Sequence, residues 1–400
     1  MADHEERCAV GPLTGIRVLE FAHVVSAPLC GMLLADLGAD VVKVESPHRP
    51  DMLRGSGARG PDGDSMAFRT VNRNKRAVSL DLADEASTQM RDDLIRSADV
   101  LLENYSPGVP VRLGIDYERV RDINPRLVYA SISGFGDEGP LRELGGYDFV
   151  AQAMSGLMSV TGPSRGVPYK IGVPVSDIAS ALYLTIGVLA ALRARDECGH
   201  GQRVSCSLLA AGVSLGVWEA SHLWATGEVP GRLGNAHRAL APYEAVRASD
   251  GWFVIAANTD AMFRRAATAF GREEWLDDPR FATNATRLAH RDALSRELRS
   301  AASAGPADLW VRLLREAGVP AGELLDVAQA LDHPQVTANG MVAHVTDERT
   351  GRSTKVLGNP LRLSHTPVSY RRSAPGVGEH DDALFGVDPG TAATAPAVDP

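Results

Sequence analysis

The feature that most constrains this chain is an alternation of short apolar runs with helical patterns close to its start. Residues 16–21 read as a buried strand, 28–37 as a helix and 40–45 as a second strand. A strand-helix-strand unit of this kind places its two strands parallel, because a hairpin has no room for a crossover helix. The alternation continues with a strand at 77–80, a helix at 85–98, a strand at 100–103, a helix at 117–124 and a strand at 127–133. The pattern predicts an α/β fold around a doubly wound parallel sheet.

The turn after the first strand narrows what such a sheet can bind. It reads AHVVSAPLCG, with no glycine before Gly31, so the dinucleotide fingerprint GxGxxG is missing. Ser26 reads as a helix cap and Pro28 lies in the first helical turn, which leaves free backbone donors able to face a phosphate. Residues 46–73 are rich in Gly, Pro, Asp and Arg and read as a long surface loop. Asn74, Lys75 and Arg76 follow it: either phosphate ligands or a solvated strand end. NYSPG, from Asn104 to Gly108, lies directly after a strand, where ligands sit in open α/β sheets, with Arg112 behind it as ligand or surface ion pair.

A second informative stretch is GVPVSDIASALYLTIGVLAALRA, starting at Gly172. Pro174 and Ser176 mark a helix start, Asp177 stands in its first turn, and an apolar helix runs from Ile178 towards Arg193. The spacing leaves two readings of Asp177, a helix cap or a carboxylate nucleophile. On the second, the positive end of the helix lowers the carboxyl pKa and keeps it ionised. Further on, 205–225 reads as another apolar helix, 243–257 as a hairpin, 261–270 and 307–317 as helices, and 342–363 as strands.

Composition excludes several classes. With 400 residues and 44% hydrophobic content the chain has material for two or three domains. A net charge of -9 argues against a nucleic-acid partner. The start, MADHEERCAVG, lacks the regions of a signal peptide, and the longest apolar run reads as too short to cross a bilayer, so a cytoplasmic protein with no membrane partner is expected. Cys8, Cys30, Cys198 and Cys206 show no metal-ligand spacing and no HExxH occurs, so no metal is expected and the thiols are read as free. No GxxxxGK[ST] loop is present for ATP.

Seven segments in order resemble the class III CoA-transferase family, which includes formyl-CoA:oxalate and carnitine CoA-transferases and is related to α-methylacyl-CoA racemases. They are PLTGIRVLEFAHVVSAP, LGADVVKVE, NRNKRAVSLDL, ENYSPG, GYDFVAQAMSG, GVPVSDIASALY and GEHDDALF, spanning residues 12–385. The resemblance implies that Asp177 is the nucleophile and that Val25, Ser26, Leu80, Asn104, Tyr105, Arg112 and Tyr147 bind coenzyme A. Lys75 and Arg76 match basic positions of the family and join the CoA-binding set. Ser46 stands where some members carry a basic residue.

The resemblance also implies a Rossmann-like large domain built from both ends of the chain, a smaller α+β domain and an interlocked homodimer. The domains expected are a disordered leader at 1–11, the large CoA-binding domain at 12–225, the small domain at 226–330, a return to the large domain at 331–386 and a disordered tail at 387–400. Coenzyme A and acyl-CoA enter as substrates, with a small carboxylic acid as partner and no permanently bound cofactor.

Two departures narrow the activity. Val25 replaces a glutamine of the oxalate-specific members, and GRLGNAHRALAPY replaces their polyglycine loop, which argues against formyl-CoA:oxalate exchange. Tyr147 replaces a histidine of the racemases, which removes one base of a two-base proton exchange. Residues GLMSVTGP and AHRALAPYEAVRASDG look most like members that pass CoA between dicarboxylic acids with succinyl-CoA as donor. Racemization and plain CoA binding are the rival readings.

Overall fold

The computed structural model describes residues 11–60, 63, 65–347 and 350–385. The leader expected at 1–11 lies outside these except for Gly11, and the tail expected at 387–400 lies wholly outside them. The chain divides into two compact units: one holds Ile171–Val217 together with the described residues up to Leu157 and from Pro334, the other Met158–Lys170 and Trp218–His333.

In the first unit six strands form one sheet: β1 Arg17–Phe21, β2 Asp40–Glu45, β3 Arg76–Ser79, β4 Val100–Glu103, β5 Val128–Ser133 and β6 Arg203–Ser207. Their order is β3-β2-β1-β4-β5-β6 and every pairing is parallel. Alternate side chains feed two cores, as the two-residue period of a strand requires. Val18, Val100 and Leu102 join Leu34, Leu184 and Val188 on one face. On the other, Leu19, Val42 and Leu101 meet Leu94, Ile95 and Val120. Covering both faces explains why the strands read as unbroken apolar runs.

The helices that supply the covering are α1 Ser26–Asp36, α2 Met66–Asn72, α3 Thr88–Ser97, α4 Val109–Leu113, α5 Tyr117–Ile123, α6 Asp148–Met154, α7 Val175–Cys198 and α8 Leu208–Ser214. Several differ from the sequence reading. The loop expected at 46–73 contains α2, started by Ser65, whose hydroxyl accepts from the Phe68 N–H at 3.2 Å. Ser26 does not cap α1: Val25 occupies that place and Ser26 is the first helical residue. The helix α7 runs 24 residues, past Arg193, because Arg195 is buried against Asp99 at 2.8 Å and the helix stops only at Gly199, φ 78°.

At that length, with an 18-residue stretch of mean hydropathy 1.8, α7 is long and apolar enough to cross a membrane, contrary to the expectation from the shorter run. Ala181, Leu184 and Val188 on it are fully buried in the core of the unit. The single helix expected at 205–225 is instead β6, α8 and a further helix, α9 Val217–Thr226. An edge strand, short and flanked by apolar helices, leaves no break in the hydrophobic pattern to betray it.

The second unit is built on an antiparallel sheet of β7 Tyr243–Arg247, β8 Trp252–Ala256 and β9 Ala321–Glu323, in that order. Around it lie α10 Asp260–Ala269, α11 Arg291–Ala302 and α12 Ala307–Glu316. Phe253, Phe270, Trp275, Leu294 and Trp310 fill its core, with the Phe270 and Trp310 rings 5.0 Å apart. This unit also takes Met158–Lys170, a segment the sequence reading put in the large domain. Arg232 explains the attachment: its guanidinium donates to the carbonyls of Pro163 and Gly166 at 3.0 and 2.8 Å. From Pro334 the chain rejoins the first unit, where β10 Val342–Thr346 and β11 Ser353–Leu357 form an antiparallel pair.

Candidate active site

In an open parallel sheet the strand order reverses beside the first strand, and the loops leaving the two central strands diverge there to open a cleft. Here that point lies between β1 and β4. The turn after β1 supplies His23, Val24, Val25 and Ser26, the loop after β4 supplies Asn104, Tyr105 and Ser106, and Ser133 ends β5 with Gly134 following it. With Met52, Tyr147, Asp148 and Asp177 they line a cavity of about 220 Å³.

The β1–α1 turn is held against its own preference. Val24 has φ 65°, a left-handed conformation that a β-branched residue adopts only at a cost of about 1–3 kcal/mol. Its N–H donates to Asp51 Oδ1 at 3.1 Å, while Asn104 clamps His23 by accepting its N–H and donating to its carbonyl, both at 2.9 Å. Asp51 pairs at 3.0 Å with Lys43, whose ammonium also donates to the Ala22 carbonyl. Burial pulls the Lys43 pKa down, but the carboxylates of Glu20, Asp51 and Glu45 outweigh it and hold the ammonium above its ordinary value. Burial, helped by the Lys43 charge, lowers the pKa of His23, so the imidazole is neutral.

Asp177 stands on the first turn of α7, half-buried in this cleft. It does not cap the helix. That work falls to Asp148 on α6, whose Oδ1 accepts the Ser176 N–H at 2.8 Å and whose Oδ2 accepts from Gln152 at 2.7 Å. Gln152, fully buried, also accepts the Ile171 N–H at 2.8 Å and so ties Asp148 to the segment leading into α7. With the cap supplied from another helix, the Asp177 carboxylate is left without a hydrogen bond among the described residues.

The expected lowering of the Asp177 pKa is therefore corrected. Burial, and then the neighbouring Asp148 charge, push it up to about 7. The partial charge of a helix end is worth a few tenths to about 1 kcal/mol, less than desolvation beside a like charge.

Of the residues singled out from the sequence, Asp177, Val25, Ser26, Asn104, Tyr105 and Tyr147 meet in one cleft. Four do not. Lys75 is fully buried behind β1, its ammonium 2.7 Å from Glu20 and donating to the Pro28 carbonyl and Asn72, and burial lowers its pKa to about 8. Arg76 is paired with Asp40 across β2 and β3. Leu80 is a core residue on the far face of the sheet, and Arg112 is exposed on α4. Basic residues after a loop look the same in sequence whether they meet phosphate or a buried carboxylate; here Glu20 and Asp40 claim two of them. Sequence reasoning missed Asp148, Gln152, His23 and Asp51. Asp148 carried a signal, an acid in the first turn of a helix feeding the Asp177 turn, but the partner Ser176 N–H is a contact across 28 positions.

The fold and this cleft place a carboxylate at the switch point of an open α/β sheet. The sequence profile of CoA-transferase family III matches residues 13–381. Acetyl-CoA:oxalate CoA-transferase of Acetobacter aceti is 38% identical, over 94% of this chain and 95% of that one. Succinate–glutarate CoA-transferase of Agrobacterium fabrum is 37% identical, over 92% and 94%. A crystal structure of a CaiB/BaiF family protein from Brucella suis superposes with TM-score 0.84 at 36% identity, covering 94% of this chain and 99% of that one. That of Rv3272 from Mycobacterium tuberculosis gives 0.83 at 30%, with the same coverage. The chain belongs to CoA-transferase family III and is an enzyme of that class, a CoA-transferase.

Proposed function

We propose that this enzyme passes coenzyme A from an acyl-CoA to a small dicarboxylic acid, with Asp177 as the covalent carrier. The observation that carries the reading is a cleft carboxylate with no hydrogen bond to occupy it among the described residues, at a sheet switch point lined by Val25, Ser26, Asn104 and Tyr105. Relatives named for succinate and glutarate, for succinyl-CoA and mesaconate, and for acetyl-CoA and oxalate support the dicarboxylate class. The Acetobacter relative narrows the argument from Val25 and the loop before Pro242: it tells against formyl-CoA as donor, not against oxalate as acceptor.

In the proposed mechanism, Asp177 attacks the thioester carbonyl, forming an aspartyl-acyl anhydride and releasing CoA thiolate. The thiolate attacks the aspartyl carbonyl, giving an enzyme thioester and the free donor acid, and the acceptor carboxylate then runs the sequence in reverse. Thioester energy is conserved, and the half-buried setting of Asp177 keeps water from the anhydride. The raised pKa makes the nucleophile more basic at the cost of being half-protonated near neutrality.

Two chains threaded through each other as a homodimer fit the apolar side chains that α7 leaves exposed, Leu182, Tyr183 and Ile186. Free Cys30, Cys198 and Cys206 fit a reducing compartment, the cytoplasm.

The test is replacement of the carrier. Asp177→Ala and Asp177→Asn are expected to lose about 10⁴-fold or more in kcat. Hydroxylamine added during turnover of the wild type is expected to convert Asp177 to a hydroxamate, read by peptide mass spectrometry. Near-normal transfer by either variant, or a hydroxamate elsewhere, overturns the proposal.

A further inference from the structure

The cleft around Asp177 is short of positive charge. Its described lining residues include two carboxylates, Asp177 and Asp148, and no Lys or Arg. A monoacid presents to Asp177 only the carboxylate that takes up coenzyme A, whereas a diacid brings a second charge into a cavity of about 220 Å³. A charge taken out of water without a partner is strongly disfavoured. Two polar side chains of the lining are already engaged. The Asn104 amide donates to the His23 carbonyl at 2.9 Å and to Ser26 Oγ at 3.2 Å, and Ser133 Oγ accepts the Gly136 N–H at 3.0 Å.

His23 is the exception. Among the described lining residues it alone can carry a positive charge. Asn104 holds its main chain on both sides, and its ring lies against Tyr105 with centroids 5.3 Å apart. A side chain fixed in this way loses little freedom on meeting a ligand. Neither ring nitrogen has a hydrogen-bond partner among the described residues, yet neither is sealed off, since the residue is part-exposed and lines the cleft. The charged groups acting on the ring are Lys43 and Glu45 from β2, Glu20 from β1 and Asp51 from the loop before α2; burial, then Lys43, keeps the imidazole neutral. A neutral imidazole still donates one N–H, and an anion set against it favours the charged form.

We infer that His23 is a specificity-determining residue, its imidazole receiving the far carboxylate of a dicarboxylic acid whose other carboxylate meets Asp177. The two anchors come from different elements, the β1–α1 turn and the first turn of α7, so one wall of the cleft carries out the exchange while another reads the charge of the acid. An N–H that becomes charged as it bonds a carboxylate discriminates strongly against a neutral group of the same shape. The inference rests on the dicarboxylate reading of the proposed function.

The experiment compares two acceptors of equal length, glutarate and its monoamide glutaramate, in CoA transfer by the full-length enzyme at saturating succinyl-CoA. In wild type the KM for glutarate is expected to lie about tenfold or more below that for glutaramate. His23→Leu is expected to erase most of this ratio, chiefly by raising the glutarate KM, with a smaller change in kcat. His23→Arg, which keeps a donor and a charge at the position, is expected to hold the ratio at the wild-type value or above, and so separates lost recognition from a damaged turn. An unchanged ratio in His23→Leu, including an equal loss for both acids, overturns the inference and leaves the proposed function standing. A His23→Arg ratio as low as that of His23→Leu also overturns it. Wild type that transfers coenzyme A to neither acid, or shows no preference for glutarate, sinks the dicarboxylate reading and the inference together.

Discussion

At the scale of single residues, the unusual fact is that Asp177 is freed from helix capping by Asp148 and then kept protonated more readily by it. A carboxylate must be ionised to attack, so kcat/KM for the acyl-CoA is expected to fall as pH drops through about 7 and to level off above it. Asp148→Asn removes the like charge and is expected to move that limb to lower pH, measured in the same profile. Stability runs the other way. Because the folded pKa of Asp177 is raised above the ordinary 3.8, its contribution becomes unfavourable as pH climbs from about 4 and is fully so above about 7. Asp177→Asn is expected to be more stable than wild type at pH 8 by about 2 kcal/mol, after allowance for solvent screening, with the difference gone near pH 4 in denaturant titrations. The place of Asp177 at the head of an apolar helix was legible in the sequence. The sign of its pKa shift was not, because it depends on burial and on a neighbour 29 positions away, Asp148.

At the scale of elements, the strand-helix alternation was readable because buried parallel strands are apolar throughout, while β6, α8 and α9 merged into one apolar stretch. The polar scaffold beneath the β1–α1 turn was not readable at all. Glu20, Lys43, Asp51 and Lys75 are each 0–1% exposed and come from four separate segments. Lys43 is their hinge, bonded to Glu20 at 3.1 Å and Asp51 at 3.0 Å. Lys43→Met leaves Asp51 buried without its cation and the Ala22 carbonyl without its donor, and is expected to cost about 3–5 kcal/mol, measured by chemical denaturation. Because Asp51 also holds the Val24 N–H, the same variant is expected to raise KM for acyl-CoA several-fold more than it lowers kcat. A stable variant with unchanged KM would show that the turn needs no such support.

At the scale of the whole molecule, two helices each carry several exposed apolar residues. On α7, Leu182, Tyr183, Ile186 and Leu189 recur at helical spacing, and Trp218 and Trp224 stand out from α9 at 65% and 82% exposure. A monomer would leave them in water. Static light scattering is expected to give twice the mass of one chain at micromolar concentration, and Ile186→Lys, at a site 62% exposed here, to shift the mass towards one chain. A wild-type monomer would end the dimer proposal. One backbone crossing bears on all of this. A methyl group built on Gly134 would lie 2.6 Å from Gly146 Cα, and one built on Gly146 only 2.5 Å from Gly134 Cα. The spacing between the strand end and the segment carrying Tyr147 and Asp148 is thus set by bare main chain. Attempts to retune this enzyme for bulkier acids by varying side chains have no purchase at that junction, and even alanine there would push apart the walls of the cleft.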